Sequence, residues 1–245
     1  MRKIINLLFG VFCLWQPTEL TAQQKFTYSA KKNTAASLIQ QPVDLVFSAA
    51  VPPGSNPFDL VFGAVFTNSK KQQKTIQGFY NGQKEYIIRF CAEETGEYQY
   101  QTFSTQASLT GLKGSVKVEK NPNPDIHGGV VVSPEQPQKF RYQDGRPYFA
   151  LAFELDWLFA LDMNNKAGMP KSEEIIRSVK KNGFNQVVMN VYAYDVGWKT
   201  SGQVPPQYQF GKPAYSVFRG SNEQPDFDQL NTELFQHLDR VVQHL

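Results

Sequence analysis

Cysteine is nearly absent from this 245-residue chain: there are two, and Cys13 falls inside an N-terminal apolar segment. Once that segment is set aside Cys91 has no partner, so no internal disulfide can form and the core must stabilise itself by burial. Cys91 is expected to be a small buried hydrophobe. Histidine is as sparse. His127, His237 and His244 are the only ones, and none has the two-His spacing or the Cys partner of a zinc site. His237 and His244 lie seven apart on a helical stretch and are read as solvated. No Gly-x-Ser-x-Gly elbow and no phosphate-cradling glycine loop occurs, so neither serine nucleophile chemistry nor nucleotide use is indicated, and no metal or other cofactor is expected. Excess charge is also missing. Twenty-five Lys and Arg against 22 Asp and Glu leave a net +3, too thin for the basic stripe that nucleic acid requires. After residue 22 no apolar run is long enough to cross a bilayer. Nothing in the sequence fixes an oligomeric state.

What is present is the profile of a folded protein, 41% apolar and 13% aromatic. Residues 1–22 read as a secretory signal: Arg2 and Lys3, an apolar run from Ile4 to Trp15, and a small-residue exit at Leu20-Thr21-Ala22. The protein is therefore expected to be exported, to the periplasm or the cell exterior, with its mature end near Gln23. Phe12 stands where a lipoprotein signal needs a small residue, which argues against a lipid anchor on Cys13.

Residues 23–120 carry period-2 alternation broken by turn residues, the imprint of half-buried antiparallel strands. Tyr86, Ile88 and Phe90 face one way while Ile87, Arg89 and Cys91 face the other. Asn81-Gly82 before them is suited to a type I′ hairpin turn. With runs at 43–47, 60–66, 98–102 and 114–119 this gives about six strands, and the fold class expected is an all-β, immunoglobulin-like sandwich. Asn121-Pro122-Asn123-Pro124 opens a linker over 121–138, because each proline removes a donor and forces its predecessor into extended geometry.

From 139 onward the pattern changes. Asp144-Gly145 joins strands at 139–142 and 147–153, the second continuing into Leu155. Ser172 is a candidate helix cap, with Ile175, Ile176 and Val179 on one face and Gly183 past the last turn. Residues 187–191 read as a parallel strand covered on both faces. Asp226 or Asp228 opens a second helix with Leu230, Leu234, Leu238, Val241, Val242 and Leu245 on one face. Strand, helix, strand, helix is the opening of an α/β unit. A (β/α)8 barrel takes roughly 250 residues, so 139–245 is expected to be its N-terminal portion, about one quarter of it.

The stretches Asn56-Pro57-Phe58, Gln77-Gly78-Phe79-Tyr80-Asn81-Gly82, Arg89-Phe90 and Gly96-Glu97-Tyr98-Gln99-Tyr100 resemble the N-terminal β-sandwich, a domain of unknown function, of secreted bacterial glycoside hydrolases. In that family the sandwich precedes a (β/α)8 TIM barrel of the apiosidase-like or collagen-binding type. Phe140-Arg141-Tyr142 with Asp144-Gly145-Arg146-Pro147 is similar to the family's opening hairpin, Asp156-Trp157 to the end of its first barrel strand, and Gly183-Phe184-Asn185 to its turn into the second. Asn81 stands where the family usually has Asp, and Tyr98 where it has Trp. The resemblance covers about 43–245 and implies a glycosidase acting on a carbohydrate substrate. Its acid/base and nucleophile carboxylates would lie on the fourth and seventh barrel strands, so no catalytic residue is assigned here and the fragment is expected to be inactive.

Glycoside hydrolysis needs two carboxyl groups facing each other across the scissile bond, about 5 to 9.5 Å apart. Glu154 and Asp156, two apart on one strand, have Cα atoms roughly 6 to 7 Å apart but share one wall of the site, which argues against a catalytic pair. Asp156 either accepts a sugar hydroxyl or bonds loop amides; Trp157 either stacks on a sugar ring or packs under the rim. Asn190, Tyr192, Tyr194, Asp195 and Trp198 follow the second strand, where a polar and aromatic mixture suits carbohydrate; the alternative is a Tyr-rich loop packed on the sandwich. The substrate-contact set expected is Asp156, Trp157, Asn190, Tyr192, Asp195 and Trp198. The competing view of the whole chain is a non-catalytic carbohydrate-binding or protein-interaction β-sandwich module.

Overall fold

The computed structural model describes residues 23–191, 213, 216–221 and 223–245; the proposed signal lies outside them. Nine strands form two sheets: β1 (Gln24–Thr27), β2 (Thr34–Leu38), β3 (Val43–Ser48), β4 (Phe62–Thr67), β5 (Gln73–Gln77), β6 (Phe79–Gly82), β7 (Glu85–Phe90), β8 (Gly96–Ser104) and β9 (Lys113–Glu119). The order is β1-β3-β7-β6 in one sheet and β2-β9-β8-β4-β5 in the other. Their facing sides close one apolar core around Leu45, Phe47, Phe62, Phe66, Phe90 and Val116, as a sandwich requires. Both ladders mix directions, since β1 runs parallel to β3 and β2 parallel to β9.

Tyr86, Ile88 and Phe90 do point into this core. The hairpin before them turns elsewhere than expected. Asn81 and Gly82 belong to β6, and the two-residue loop is Gln83-Lys84, both at positive φ (49° and 68°). Gly82 pairs with Glu85 across a register irregularity after Tyr80. Cys91 sits just past β7 and is half-buried; burial pushes its thiol pKa up, so it stays protonated.

A small antiparallel sheet follows, β10 (Val130–Val132), β11 (Phe140–Tyr142) and β12 (Pro147–Tyr148). Residues 121–138 thus contribute a strand to the sheet after them, and the Asp144-Gly145 hairpin joins β11 to β12, with Gly145 at φ +92°. The run after Pro147 breaks in two. β13 (Ala152–Glu154) is a separate strand, parallel to β14 (Gln186–Val188), with α1 (Pro170–Lys181) between them. Asn185 bridges the break, its side chain accepting from Leu151 N (2.9 Å) and donating to the Phe149 carbonyl (2.8 Å).

Ser172 is not the cap of α1. The helix starts at Pro170, whose fixed φ suits the first helical position, and Ser172 is fully buried inside the first turn. The anion there is Asp162, whose Oδ2 accepts from Ser172 N (2.8 Å) and Ser172 Oγ (3.1 Å). Neither Asp226 nor Asp228 opens a helix. They lie in β16 (Pro225–Leu230), which pairs antiparallel with β15 (Phe218–Gly220). The second helix, α2 (Thr232–His244), is capped by Asn231, which accepts from Glu233 N.

Candidate functional site

In β13 and β14 the alternation sorts side chains cleanly. Leu155, Val187 and Met189 pack with Ile176, Val179 and Val241 on the helix side. Ala152, Glu154, Gln186 and Val188 therefore take the opposite face, paired as Ala152 with Gln186 and Glu154 with Val188. The ladder runs one step further, Leu155 N donating to the Val188 carbonyl (2.8 Å), after which the chain turns, Leu158 N donating to the Leu155 carbonyl (3.0 Å), so that Asp156 lies in the turn just past the strand end and not, as expected, on the strand. Asn190, two past Val188, reaches the same end. Glu154, Asp156 and Asn190 are exposed. The result is an open surface at the carboxyl ends of two parallel strands, with Glu154 closing β13, Asp156 in the turn after it and Asn190 two residues past the end of β14. Such a surface can accept and donate hydrogen bonds to a polyhydroxylated ligand.

That face is bare. Val188 keeps 47% of its surface exposed, so β14 is covered on one side only, unlike the doubly covered strand expected. Trp157 is half-buried and packs against the Leu155 cluster. Tyr192, Tyr194, Asp195 and Trp198 lie outside the described residues. Among the described residues no group of His, Cys, Asp and Glu is arranged to hold a metal ion, and no helix is long and apolar enough to cross a membrane.

Two further polar groups escaped the sequence reading. His237 is not solvated: it is 2% exposed on α2, with Arg240 Nη2 2.9 Å from its Nδ1. Arg89 leaves the sandwich's outer face and spans two carboxylates. Its Nε and Nη2 donate to Asp44 (2.8 and 3.0 Å), its Nη1 and Nη2 to Asp239 of α2 (2.9 and 2.7 Å). Those bonds hold the guanidinium pKa above its already high ordinary value, Asp239 contributing most and Asp44 next. A cleft of about 390 Å³ lies beside this contact, walled by Phe58, Phe79, Tyr80 and Phe235. The available signal was a charged residue at an outward position of an otherwise apolar strand.

A family model described as a domain of unknown function, DUF5060, matches residues 40–105, which span β3 to β8. Among solved structures, the chain is similar to a "putative glycoside hydrolase" from Bacteroides vulgatus ATCC 8482, with 27% identity, a TM-score of 0.68 and 86% of this chain covered. The chain spans 39% of that protein's length. Auracyanin B (13% identity, TM-score 0.25, 40% of this chain and 91% of its own) and the ZIG-8 IG1 homodimer (13%, 0.24, 38% and 87%) resemble the sandwich too distantly to carry an argument. No match was found among curated proteins. The chain thus joins a β-sandwich to a second unit of small sheets and two helices, and over most of its length it shares a fold with a protein described as a glycosidase.

Proposed function

We propose that this chain is the N-terminal part of an exported glycoside hydrolase, in which residues 139–245 open a (β/α)8 barrel of the apiosidase-like type and the β13–β14 face forms one wall of the sugar site. The observation that carries the reading is the placement of Glu154, Asp156 and Asn190 together at the carboxyl ends of adjacent parallel strands, the end at which barrel enzymes bind substrate. The Bacteroides neighbour supports it. Asp156 and Asn190 are the substrate contacts, joined by Tyr192, Asp195 and Trp198 from the sequence that follows; Trp157 supports the rim from beneath. Glu154 and Asp156 lie two residues apart at the end of one strand and share one wall of the site, so the acid and the nucleophile belong to other strands. The apolar run behind Arg2 and Lys3 supports export.

The test takes the full open reading frame. Sequencing beyond the Leu245 codon should reveal further βα units with glutamates at two later strand ends, and the complete product should release reducing sugar from a panel of polysaccharides. Asp156→Ala in that product should raise KM about tenfold, the loss of one charged hydrogen bond, with kcat little changed. A stop codon after Leu245, or no hydrolysis of any polymer by the complete product, overturns the proposal.

A further inference from the structure

We propose that the sandwich is a docking module, whose outer sheet face is built to recognise the polar side of α2 and so to hold the wall of the second unit in place.

Four α2 residues meet the β1-β3-β7-β6 sheet in sequence. Thr232 stands over Gly82, where a Cβ would lie 3.0 Å from its hydroxyl. Gln236 Nε2 donates to the Asn81 carbonyl (2.8 Å). Asp239 pairs with Arg89. Gln243 Nε2 donates to Gln23 Oε1 (3.0 Å) just ahead of β1. Their spacing of 4, 3 and 4 residues keeps them on one helix face, and their partners run from β6 through β7 to the β1 edge. The helix therefore crosses the whole width of the sheet. Its other face carries Leu234, His237 and Val241, all buried in the second unit. This stripe of Thr, Gln, Asp and Gln touches the sheet along one flank while Gln236 and Gln243 keep contact with water.

The sheet side is prepared for this contact. Asp44 and Ile87 point away from the sandwich core yet are each 1% exposed, so this face is covered where a free sandwich would be wet. Asp44 also accepts from Gln23 Nε2 (2.7 Å). Its two bonds to Arg89 fix the guanidinium plane, which lies 5.4 Å from the centre of the Phe79 ring. A planar fork held in this way presents its remaining N–H groups to one carboxylate in one orientation. Asn56 adds a bond to the Asp228 carbonyl (2.9 Å). Asn56, Asn81, Gly82 and Arg89 all belong to the stretch matched by the family model.

The inference does not require the second unit to be catalytic, so it can fail while the glycosidase reading stands, and the reverse. Amide hydrogen exchange on residues 23–245 tests it. Asp239→Lys removes the pair and sets a second cation against Arg89, and the two effects together should speed exchange across α2 about tenfold. Gln236→Lys should act in the same direction. Glu97→Lys, the same charge change on the far sheet, should leave α2 unchanged. Asp239→Asn keeps the helix and its size and should give a smaller rise, so that simple unfolding is distinguished from lost docking. Unaltered α2 exchange in Asp239→Lys overturns the proposal. So does protection of the amides around Tyr80 and Arg89 by added oligosaccharide, which would make this face a sugar site.

Discussion

Asp44 and Asp239 share one arginine but not one environment. The Asp44 side chain is 1% exposed and the Asp239 side chain 36%. Removing a partner from a buried pair leaves an uncompensated charge and costs about 3 kcal/mol or more, whereas an exposed pair contributes under about 1 kcal/mol. Arg89→Ala, which leaves the buried Asp44 carboxylate without its cation, should therefore lower the urea midpoint far more than Asp239→Ala does, with the slope of unfolding unchanged. Equal effects would show that the outer face is wetter than its packing implies. Gly114 is a second sensitive residue. A Cβ there would collide with the Asn33 carbonyl and the Tyr100 hydroxyl, and backbone cannot give way, so Gly114→Ala should destabilise the sandwich by about 2 kcal/mol.

His237 adds a pH dependence. Burial, then the neighbouring Arg240, hold its pKa below the ordinary value of 6.5; the Phe159 and Leu161 carbonyls and Asp162 pull the other way more weakly. A base whose folded pKa is depressed binds fewer protons folded than unfolded between the two values. Its contribution to stability is complete above about pH 6.5 and falls away as the pH drops below that. The melting temperature should decline from pH 7 to pH 5 in the native chain and decline less in His237→Phe. Parallel curves would remove His237 as the cause.

At the scale of elements, legibility in the sequence followed how many chain levels agreed. β7, β8 and β9 were visible from alternation and turn residues, β3 and β4 from short apolar runs that are buried almost throughout. β5, Gln-Lys-Thr-Ile-Gln, is an edge strand whose first three residues are exposed, so it has no apolar rhythm to read. β1 and β2 were missed because their parallel partners are distant in sequence. β16 was mistaken for a helix start since Asp226 and Asp228 are good caps; pairing with β15 overrode that local preference. The true cap, Asn231, was hidden one position past a strand end, and Asn231→Ala should cost about 1 kcal/mol, measurable as a lower thermal midpoint. That Asp156 and Asn190 fall near strand ends was legible from the apolar runs before them. Arg89, Asp239 and His237 were not, because their partners come from segments that only the tertiary fold brings together.

At the scale of the whole molecule, the two units are finished to different degrees. The sandwich buries most of its large apolar side chains, Val61 (51% exposed) and Phe79 (40%) excepted, while around the second unit Phe149 is 82% exposed, Phe227 70%, Val242 53% and Val188 47%. Burying an aliphatic or aromatic side chain contributes about 1.5 to 3 kcal/mol, so this surface strongly favours any cover that fits. Among the described residues the β13–β14 sheet has two strands only, and edges of that kind invite another strand. Residues 23–245 should therefore bind a hydrophobic fluorescent dye at neutral pH and associate as concentration rises. Replacing Phe149 and Val188 with Ser should reduce both the dye signal and the sedimentation shift. If instead the native chain sediments as a monomer at every concentration and leaves the dye dark, the exposed flank is satisfied by the chain itself, and the barrel reading loses its physical motive.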